Sequence, residues 1–180
     1  MKRLTLTFAT VTAAVAILIA TPSAHAQIHH DPAFVISADQ FVGTVPTAVD
    51  QQIARALAET AERLLSALSA GTLTDPNGNA ISAQAQTLVL SVIQGTTPPQ
   101  EIEAILLNSG AEGPSEDVAK ALVNLLTTPQ PGQVAALIAA FNQLVADASP
   151  AFLANPPDVF RVVWAIATQL GEAATPPVGA

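Results

Sequence analysis

The chain has 180 residues, of which 50% are hydrophobic and 4% aromatic, and its formal net charge is −8. This acidic excess is unfavourable for binding nucleic acid or anionic lipid surfaces, because both repel a negatively charged protein. The sequence contains no cysteine, which excludes disulfides, thiol catalysis, cysteine-based zinc sites and iron–sulfur clusters.

Residues 1–26 have the pattern of a cleavable export signal. Lys2 and Arg3 provide a positive start, an apolar run follows, and a small-x-small cleavage pattern ends at Ala26. The apolar run is shorter than the ~20 residues that a membrane-spanning helix needs, which favours cleavage over an uncleaved anchor. We therefore expect residues 27–180 to be exported to the periplasm or the medium, with no membrane span.

Cleavage removes two of the six basic residues and none of the fourteen acidic ones, so the mature formal charge becomes −10. The four remaining basic residues are scattered along the chain, which argues against a nucleic-acid partner. A chain of this length fits one domain and can bury a core without disulfides. With few aromatic residues, we expect that core to consist of Leu, Ile, Val and Ala.

Residues 27–46 keep neither a helical nor an alternating hydrophobic period, and they contain two prolines and a glycine. We predict an irregular N-terminal arm over this range rather than a disordered one. The residues expected to dock it on the body are apolar, namely Phe34, Val35, Ile36, Phe41 and Val42.

The arm also carries a possible metal site. A chain that begins Gln27-Ile28-His29 places a free amine, two deprotonatable amides and an imidazole around a square plane, which suits Cu(II) or Ni(II). His30 could add a ligand. Cyclisation of Gln27 or a cleavage site shifted by one residue would destroy the site, so chance placement of the two histidines remains the alternative.

We predict a helical domain over residues 47–171, and its first helix covers residues 47–70. Thr47 can cap the start of this helix and Gly71 ends it. Its apolar residues recur at spacings of four and seven and so share one face. They are Val49, Ile53, Leu57, Leu64 and Leu68.

Residues 75–79, Asp-Pro-Asn-Gly-Asn, predict a tight turn, with a possible short strand pairing around it. The Asp-x-Asn-x-Asn spacing resembles the start of a calcium loop. Ala80 stands where that loop requires Gly, and Gln86 where it requires a bidentate Glu, so the sequence argues against calcium.

A second helix over residues 82–94 begins at Ser82 and is apolar on all sides, which predicts a central, buried element. Four more helices begin near prolines, as expected from the preference of Pro for first helical positions. We expect loops at residues 110–114, 128–132 and 149–157 and a frayed tail over residues 172–180. The sequence therefore predicts an all-α, single-domain bundle of about five or six helices.

Catalytic groups are scarce in the mature sequence. His29 and His30 are its only histidines, and both lie near the N-terminus, far from any predicted scaffold for a nucleophile. The carboxylate pairs diverge on their helices or lie beside arginines. We therefore predict that the protein is not an enzyme and binds no cofactor.

The last helix has an apolar arc wider than one packed face needs, because Phe160 and Trp164 extend it. Either the arm and other helices cover these rings, or they lie at a subunit interface or in the wall of an apolar ligand pocket. The favoured function is a structural or interaction role in the cell envelope or outside the cell, with a protein partner or a second copy. The alternatives are a carrier of a small apolar ligand and, less favoured, N-terminal Cu(II) or Ni(II) binding.

Overall fold

The computed structural model describes residues 33, 34, 36, 48–125 and 129–175. These residues form one all-α domain of seven α-helices and one 3₁₀ turn, Leu107–Ser109. The predicted class is confirmed, with one helix more than the upper number expected. The helices are α1 (Ala48–Ala70), α2 (Ala83–Ile93), α3 (Gln100–Leu106), α4 (Glu112–Leu125), α5 (Pro131–Asp147), α6 (Pro150–Ala154) and α7 (Asp158–Ala174).

Helix α1 buries Leu57, Leu64 and Leu68 of the predicted face, leaves Val49 and Ile53 partly exposed, and exposes its charged residues. It ends in a pair of hydrogen bonds typical of a glycine C-cap, from Gly71 N to Leu68 O at 3.2 Å and from Thr72 N to Ala67 O at 3.0 Å. Gly71 has a φ of +67°, a conformation that residues with a Cβ rarely adopt. The predicted capping residue, Thr47, lies outside the described residues.

The segment between α1 and α2 is fastened by a buried glutamine, Gln86, which was named above only as a mismatch to the calcium-loop pattern. The Gln86 side chain is fully buried, accepts a hydrogen bond from Leu73 N at 2.9 Å and donates to the carbonyls of Leu73 and Ile81. An antiparallel bridge joins Thr74 and Ala80 across the intervening turn, in agreement with the predicted short pairing.

Helix α2 was expected to be central and buried, and the structure agrees only in part, since α2 contacts α1, α3, α4 and α7 but is not buried on all sides. Five of its eleven residues are buried, but Leu88 and Leu90 remain partly exposed. Helix α7 is the more buried of the two, since eleven of its seventeen residues are buried, and it contacts α1, α2, α3 and α5. Neighbouring helices can approach α7 closely where its buried residues are small, namely at Ala165, Ala167 and Gly171.

Several boundaries differ from prediction, and two of them are helix starts, since α4 begins at Glu112 and α5 at Pro131, inside the loops expected at residues 110–114 and 128–132. The expected loop at residues 149–157 contains the short helix α6, whose Ser149 side chain accepts a hydrogen bond from Phe152 N at 3.2 Å. Helix α7 continues through Gly171, where we expected the helical domain to end, because Gly171 is buried within the helix. Of the predicted frayed tail, residues 172–174 are therefore helical.

None of the helices in the described ranges combines the length and the apolarity needed to cross a bilayer. The predicted signal peptide, residues 1–26, lies outside those ranges, as do the arm residues Val35, Phe41 and Val42.

Candidate functional site

The amino-terminal half of α7 carries the most varied chemistry of the described structure. Its first two turns direct Phe160 toward α5 and α6, Trp164 toward Phe34 of the arm, and Arg161 toward the turn that precedes α2. We describe first the aromatic cluster, which is Phe34, Phe141, Phe152, Phe160 and Trp164, and then the charged cluster, which is Asp75, Asp158 and Arg161.

Phe160 is the centre of the aromatic cluster. Its ring centroid lies 5.0 Å from that of Phe141 and 5.4 Å from those of Phe34 and Phe152. These separations and the mostly edge-to-face angles are those that aromatic pairs prefer. Phe160 is fully buried as a result, and its ring faces other side chains rather than an open space.

The arm completes this cluster. The ring of Phe34 packs edge-on against Trp164 at 4.8 Å, and Trp164 is left only 7% exposed. Within this chain, the arm and the neighbouring helices cover the Phe160 and Trp164 rings. Phe34 itself is only partly buried, so it forms the outer layer of the cluster.

A second contact fixes the arm two residues later. The side-chain amide of Asn142, on α5, accepts a hydrogen bond from Ile36 N at 2.8 Å and donates one to Ile36 O at 2.6 Å. Asn142 thus bonds both polar backbone groups of one residue, as a neighbouring strand would. The Ile36 side chain lies over α7, where a Cβ built on Gly171 would come within 3.6 Å of its Cγ2 atom.

The charged cluster joins α7 to the turn before α2. Arg161 donates to Asp75 Oδ2 from Nη2 at 2.8 Å and from Nε at 3.1 Å, and to Asp158 Oδ1 from Nη1 at 2.8 Å. Arg161 Nη2 also donates to the carbonyl of Ala80 at 3.0 Å. The Asp75 side chain is only 4% exposed and that of Arg161 20%, so this pair is poorly hydrated.

Local turn chemistry places Asp75 for this contact. Its Oδ1 atom accepts hydrogen bonds from the backbone amides of Asn77 and Asn79, at 3.0 and 2.9 Å, and Oδ2 accepts one from Asn79 Nδ2. Gly78 supports the turn with a φ of +82°. The guanidinium of Arg161 therefore supplies the positive charge that a cation would supply in a calcium loop.

Asp158 connects the cluster to α2. Its Oδ2 atom accepts a hydrogen bond from Ser82 N at 3.0 Å, just before the first residue of α2. Asp158 is also the first residue of α7, where negative charge favours the helix dipole. The Asp158 carboxylate thus bonds the residue before α2 and places a negative charge at the start of α7.

These contacts shift the pKa of each member of the charged cluster. Burial by itself would raise the pKa of Asp75, but hydrogen bonds from Arg161 and Asn79 outweigh burial and lower it. Hydrogen bonds from Ser82 are the largest cause of the lowered pKa of Asp158. The hydrogen bond to Asp75 raises the pKa of Arg161. All three groups are therefore charged at neutral pH, and none is poised to exchange a proton there.

An open groove of about 360 Å³ is lined by residues of both clusters. Trp164 and Phe34 line it together with the charged cluster, the turn before α2 and the α6–α7 connection. The polar lining residues include three asparagines, which are Asn77, Asn79 and Asn155. A groove with this lining offers hydrogen bonds to a polar group rather than an apolar enclosure.

The structure describes one of the two groups of predicted site residues. Phe160 and Trp164 lie together in the aromatic cluster, on α7. Gln27, Ile28, His29 and His30 lie outside the described residues, and within the described ranges no three His, Asp or Glu side chains gather to hold a metal.

The charged cluster and Asn142 were missed by the sequence analysis. Asp75 was recognised only as a turn residue, and Arg161 only as one of four scattered basic residues. One signal was present, since Arg161 is the sole basic residue of α7 and interrupts the apolar run from Val159 to Ala167. A lone arginine in such a helix requires a carboxylate partner, although its position in the chain does not say which.

Comparison of the chain with protein-family models, with curated proteins and with solved structures yields no match.

Proposed function

We propose that this chain is an exported, non-enzymatic helical protein with an interaction role in the cell envelope or outside the cell. The observation that carries the proposal is the docking of the arm through Phe34 and Ile36. A helical surface that accommodates an aromatic ring and bonds the backbone of a nearby residue has the elements of a peptide-binding site.

Two features of this surface support recognition of a peptide. Asn142 bonds the N–H and C=O of Ile36, groups that every residue except proline provides, so it contributes affinity without reading a side chain. The other rings of the aromatic cluster contact the Phe34 ring through Phe160 and Trp164, and so favour a peptide that carries an aromatic side chain at this position. In peptide recognition, backbone hydrogen bonds commonly provide affinity and side-chain pockets provide specificity.

The charged cluster supports a structural rather than a catalytic role for its ionisable groups. Asp75, Asp158 and Arg161 are bonded to one another and to the backbone, and their shifted pKa values keep them charged at neutral pH. A general acid or base needs the opposite, a pKa moved toward the working pH.

The packing of Phe160 argues against the carrier alternative. A pocket for an apolar molecule would need open space beside Phe160 and Trp164, whereas Phe34, Phe141 and Phe152 occupy the sides of the Phe160 ring. The groove that does reach Trp164 has charged and amide groups on its other walls. Apolar ligands are poorly accommodated beside such groups, because binding would remove water from them.

Native mass spectrometry of the protein expressed with residues 1–26 in a bacterial host tests this proposal. We expect the chain in the exported fraction to begin at Gln27 and to retain no small molecule. We expect added protein mass, either a second copy or another chain, and we expect Asn142→Ala to reduce it. If the chain retains a stoichiometric apolar molecule and Trp164→Phe releases it, the result would contradict the proposal and favour the carrier. An unprocessed chain that stays inside the cell would contradict export.

A further inference from the structure

The turn between α1 and α2 contains the single Asn-Gly pair of the sequence, Asn77-Gly78. Asparagine is a thermolabile residue, because the backbone nitrogen of the next residue can attack its side-chain amide carbon. A glycine in the next position places no Cβ in the path of this attack. Both residues are exposed, so water reaches the reacting atoms. The pair thus meets the covalent requirements for non-enzymatic deamidation.

This reaction has two steps and consumes only water. In the first step, Gly78 N loses its proton and forms a bond to Asn77 Cγ, while the bond between Cγ and Nδ2 breaks and Nδ2 takes up a proton and leaves as ammonia. In the second step, water opens the cyclic imide at either of its carbonyls, and the ring nitrogen regains a proton. The products carry aspartate or isoaspartate at position 77, and nothing is oxidised or reduced. In isoaspartate the main chain runs through Cγ and is longer by one carbon.

The folded turn restrains the attacking nitrogen. Gly78 N donates a hydrogen bond to Asp75 O at 2.8 Å, so its proton is engaged. Two more hydrogen bonds close the turn, from Asp75 N to Asn79 O and from Asn79 N to Asp75 Oδ1, both at 2.9 Å. Gly78 N can attack only after its own hydrogen bond has broken and the turn has opened. The rate of the reaction therefore depends on how often the turn opens.

Arg161 connects both ends of this turn to α7. Its Nε and Nη2 atoms donate to Asp75 Oδ2 at 3.1 and 2.8 Å, and Nη2 also donates to Ala80 O at 3.0 Å. Asp75 precedes the Asn-Gly pair and Ala80 follows it. Hydrogen bonds from a charged donor are stronger than those between neutral groups. Opening of the turn has to break these bonds, so the guanidinium opposes it.

We propose that Asn77 is a site of non-enzymatic deamidation, and that Arg161 sets the rate by holding both ends of the turn. This inference is independent of the proposed interaction role, since it involves neither the arm nor Asn142. The isoaspartyl product and the closed turn exclude each other. The lengthened main chain does not fit the hydrogen bonds from Gly78 N and Asn79 N to Asp75, so Asp75 loses the placement from which it bonds Arg161.

Deamidation rates of full-chain variants test the role of Arg161. The folded proteins are incubated at mildly alkaline pH, and mass spectrometry of digests measures the deamidated fraction at position 77. Arg161→Gln should raise the rate about tenfold, because it removes charge-assisted hydrogen bonds from both ends of the turn. Lys120→Gln is the matched control and should leave the rate unchanged, since it removes a basic residue from an exposed ion pair with Glu116. Equal rates in wild type and in an Arg161→Gln chain that is helical by circular dichroism would overturn this role.

A measurement on the wild-type chain keeps the proposal testable if Arg161→Gln unfolds. The chain is incubated at one pH in native buffer and in denaturing guanidinium chloride. Asn77 should deamidate at least about tenfold faster in the denatured chain, because no turn restrains Gly78 N there. Equal rates in the two solutions, or no reaction at Asn77 in the denatured chain, would overturn the proposed site.

The isoaspartyl product provides a separate test. It is isolated by chromatography from aged wild-type protein and compared with Asn77→Asp, which adds the same charge to a main chain of ordinary length. The isoaspartyl chain should melt several degrees below the Asn77→Asp variant, because it alone loses the closed turn and the contact of Asp75 with Arg161. Equal melting temperatures would contradict the mutual exclusion of the product and the closed turn.

Discussion

The α4–α5 pair and the amino-terminal half of α7 are assembled by different means. Between α4 and α5 the contacts are aliphatic and come from residues close in sequence, such as Val118 and Leu122 on one side and Leu137 on the other. Around α7, Arg161 bonds an aspartate 86 positions away, and Ile36 bonds an asparagine 106 positions away. Neighbouring aliphatic helices build the body, and distant, chemically specific contacts build the surface to which we assign a function.

Substitutions in the two regions should differ in their effects on stability and on the environment of Trp164. Loss of a leucine between α4 and α5 lowers stability and leaves the environment of Trp164 unchanged in the folded state. Loss of a residue around α7 changes both the stability and the environment of Trp164. The predictions below use this difference, in order of decreasing effect.

Phe160→Ala should destabilise the domain by about 3–5 kcal/mol, because it removes the ring on which three other rings pack. Urea unfolding followed by circular dichroism measures the loss. Leu122→Ala is the matched substitution between α4 and α5, also fully buried, and should cost about 2–5 kcal/mol. Trp164 emission of the folded chain should shift in the first variant alone. A shift of equal size in both would remove the distinction between the regions.

Asp75→Asn should cost about 2–3 kcal/mol, since it removes the buried negative charge beside the poorly hydrated Arg161 and leaves Asp158 as the remaining carboxylate of the charged cluster. The free energy of unfolding at pH 7 is the quantity to measure. Glu116→Gln is the control, because it breaks the ion pair of Glu116 with Lys120 on an exposed helix face. That change should stay within about 0.5 kcal/mol.

The effect of Asp75→Asn should depend on pH in a defined direction. The pKa of Asp75 is lower in the folded chain than its ordinary value of 3.8, so its ionised form favours folding. Its contribution is complete above the ordinary value and is lost as the pH falls through the folded pKa. Thermal unfolding between pH 7 and pH 2 should therefore show the difference between wild type and variant shrinking below about pH 4. A difference that is constant over this range would mean that the charge of Asp75 contributes nothing.

Gly71→Ala should have the smallest cost of the three substitutions, about 1–2 kcal/mol, because the residue has a φ of +67°. The added Cβ would also lie 3.2 Å from Ala83 Cβ. Gly113→Ala, in α4, is a control of opposite sign, since its Cβ would meet no atom within 4 Å. It should stabilise the domain by up to about 1 kcal/mol. Melting temperatures that move in the same direction for both variants would refute this account of Gly71.

Much of the helical body was predictable because it follows from local rules. The spacing of apolar residues located α1, α4 and α5, and the glycine and serine at helix ends located the end of α1 and the start of α2. The boundaries that failed are those where tertiary packing overrides a local signal. Gly171 would normally end a helix, but here its lack of a side chain leaves room for Ile36 and Ile138 beside α7.

The site was less predictable than the body. Phe160 and Trp164 were identifiable because they widen an apolar arc, a property of one helix. Asn142 and the partnership of Asp75 with Arg161 were not, since a hydrogen bond between distant residues leaves no period in the sequence. Which element covers the aromatic rings was open for the same reason.

The most direct test of this account is a nuclear Overhauser experiment on the mature chain. The account places the ring of Phe34 with its centroid 4.8 Å from that of Trp164, so it predicts strong cross-peaks between the two sets of ring protons. It also predicts that Phe34→Ala increases the quenching of Trp164 fluorescence by acrylamide. Absence of the cross-peaks, with Trp164 equally accessible to acrylamide in wild type and variant, would contradict the docking of the arm.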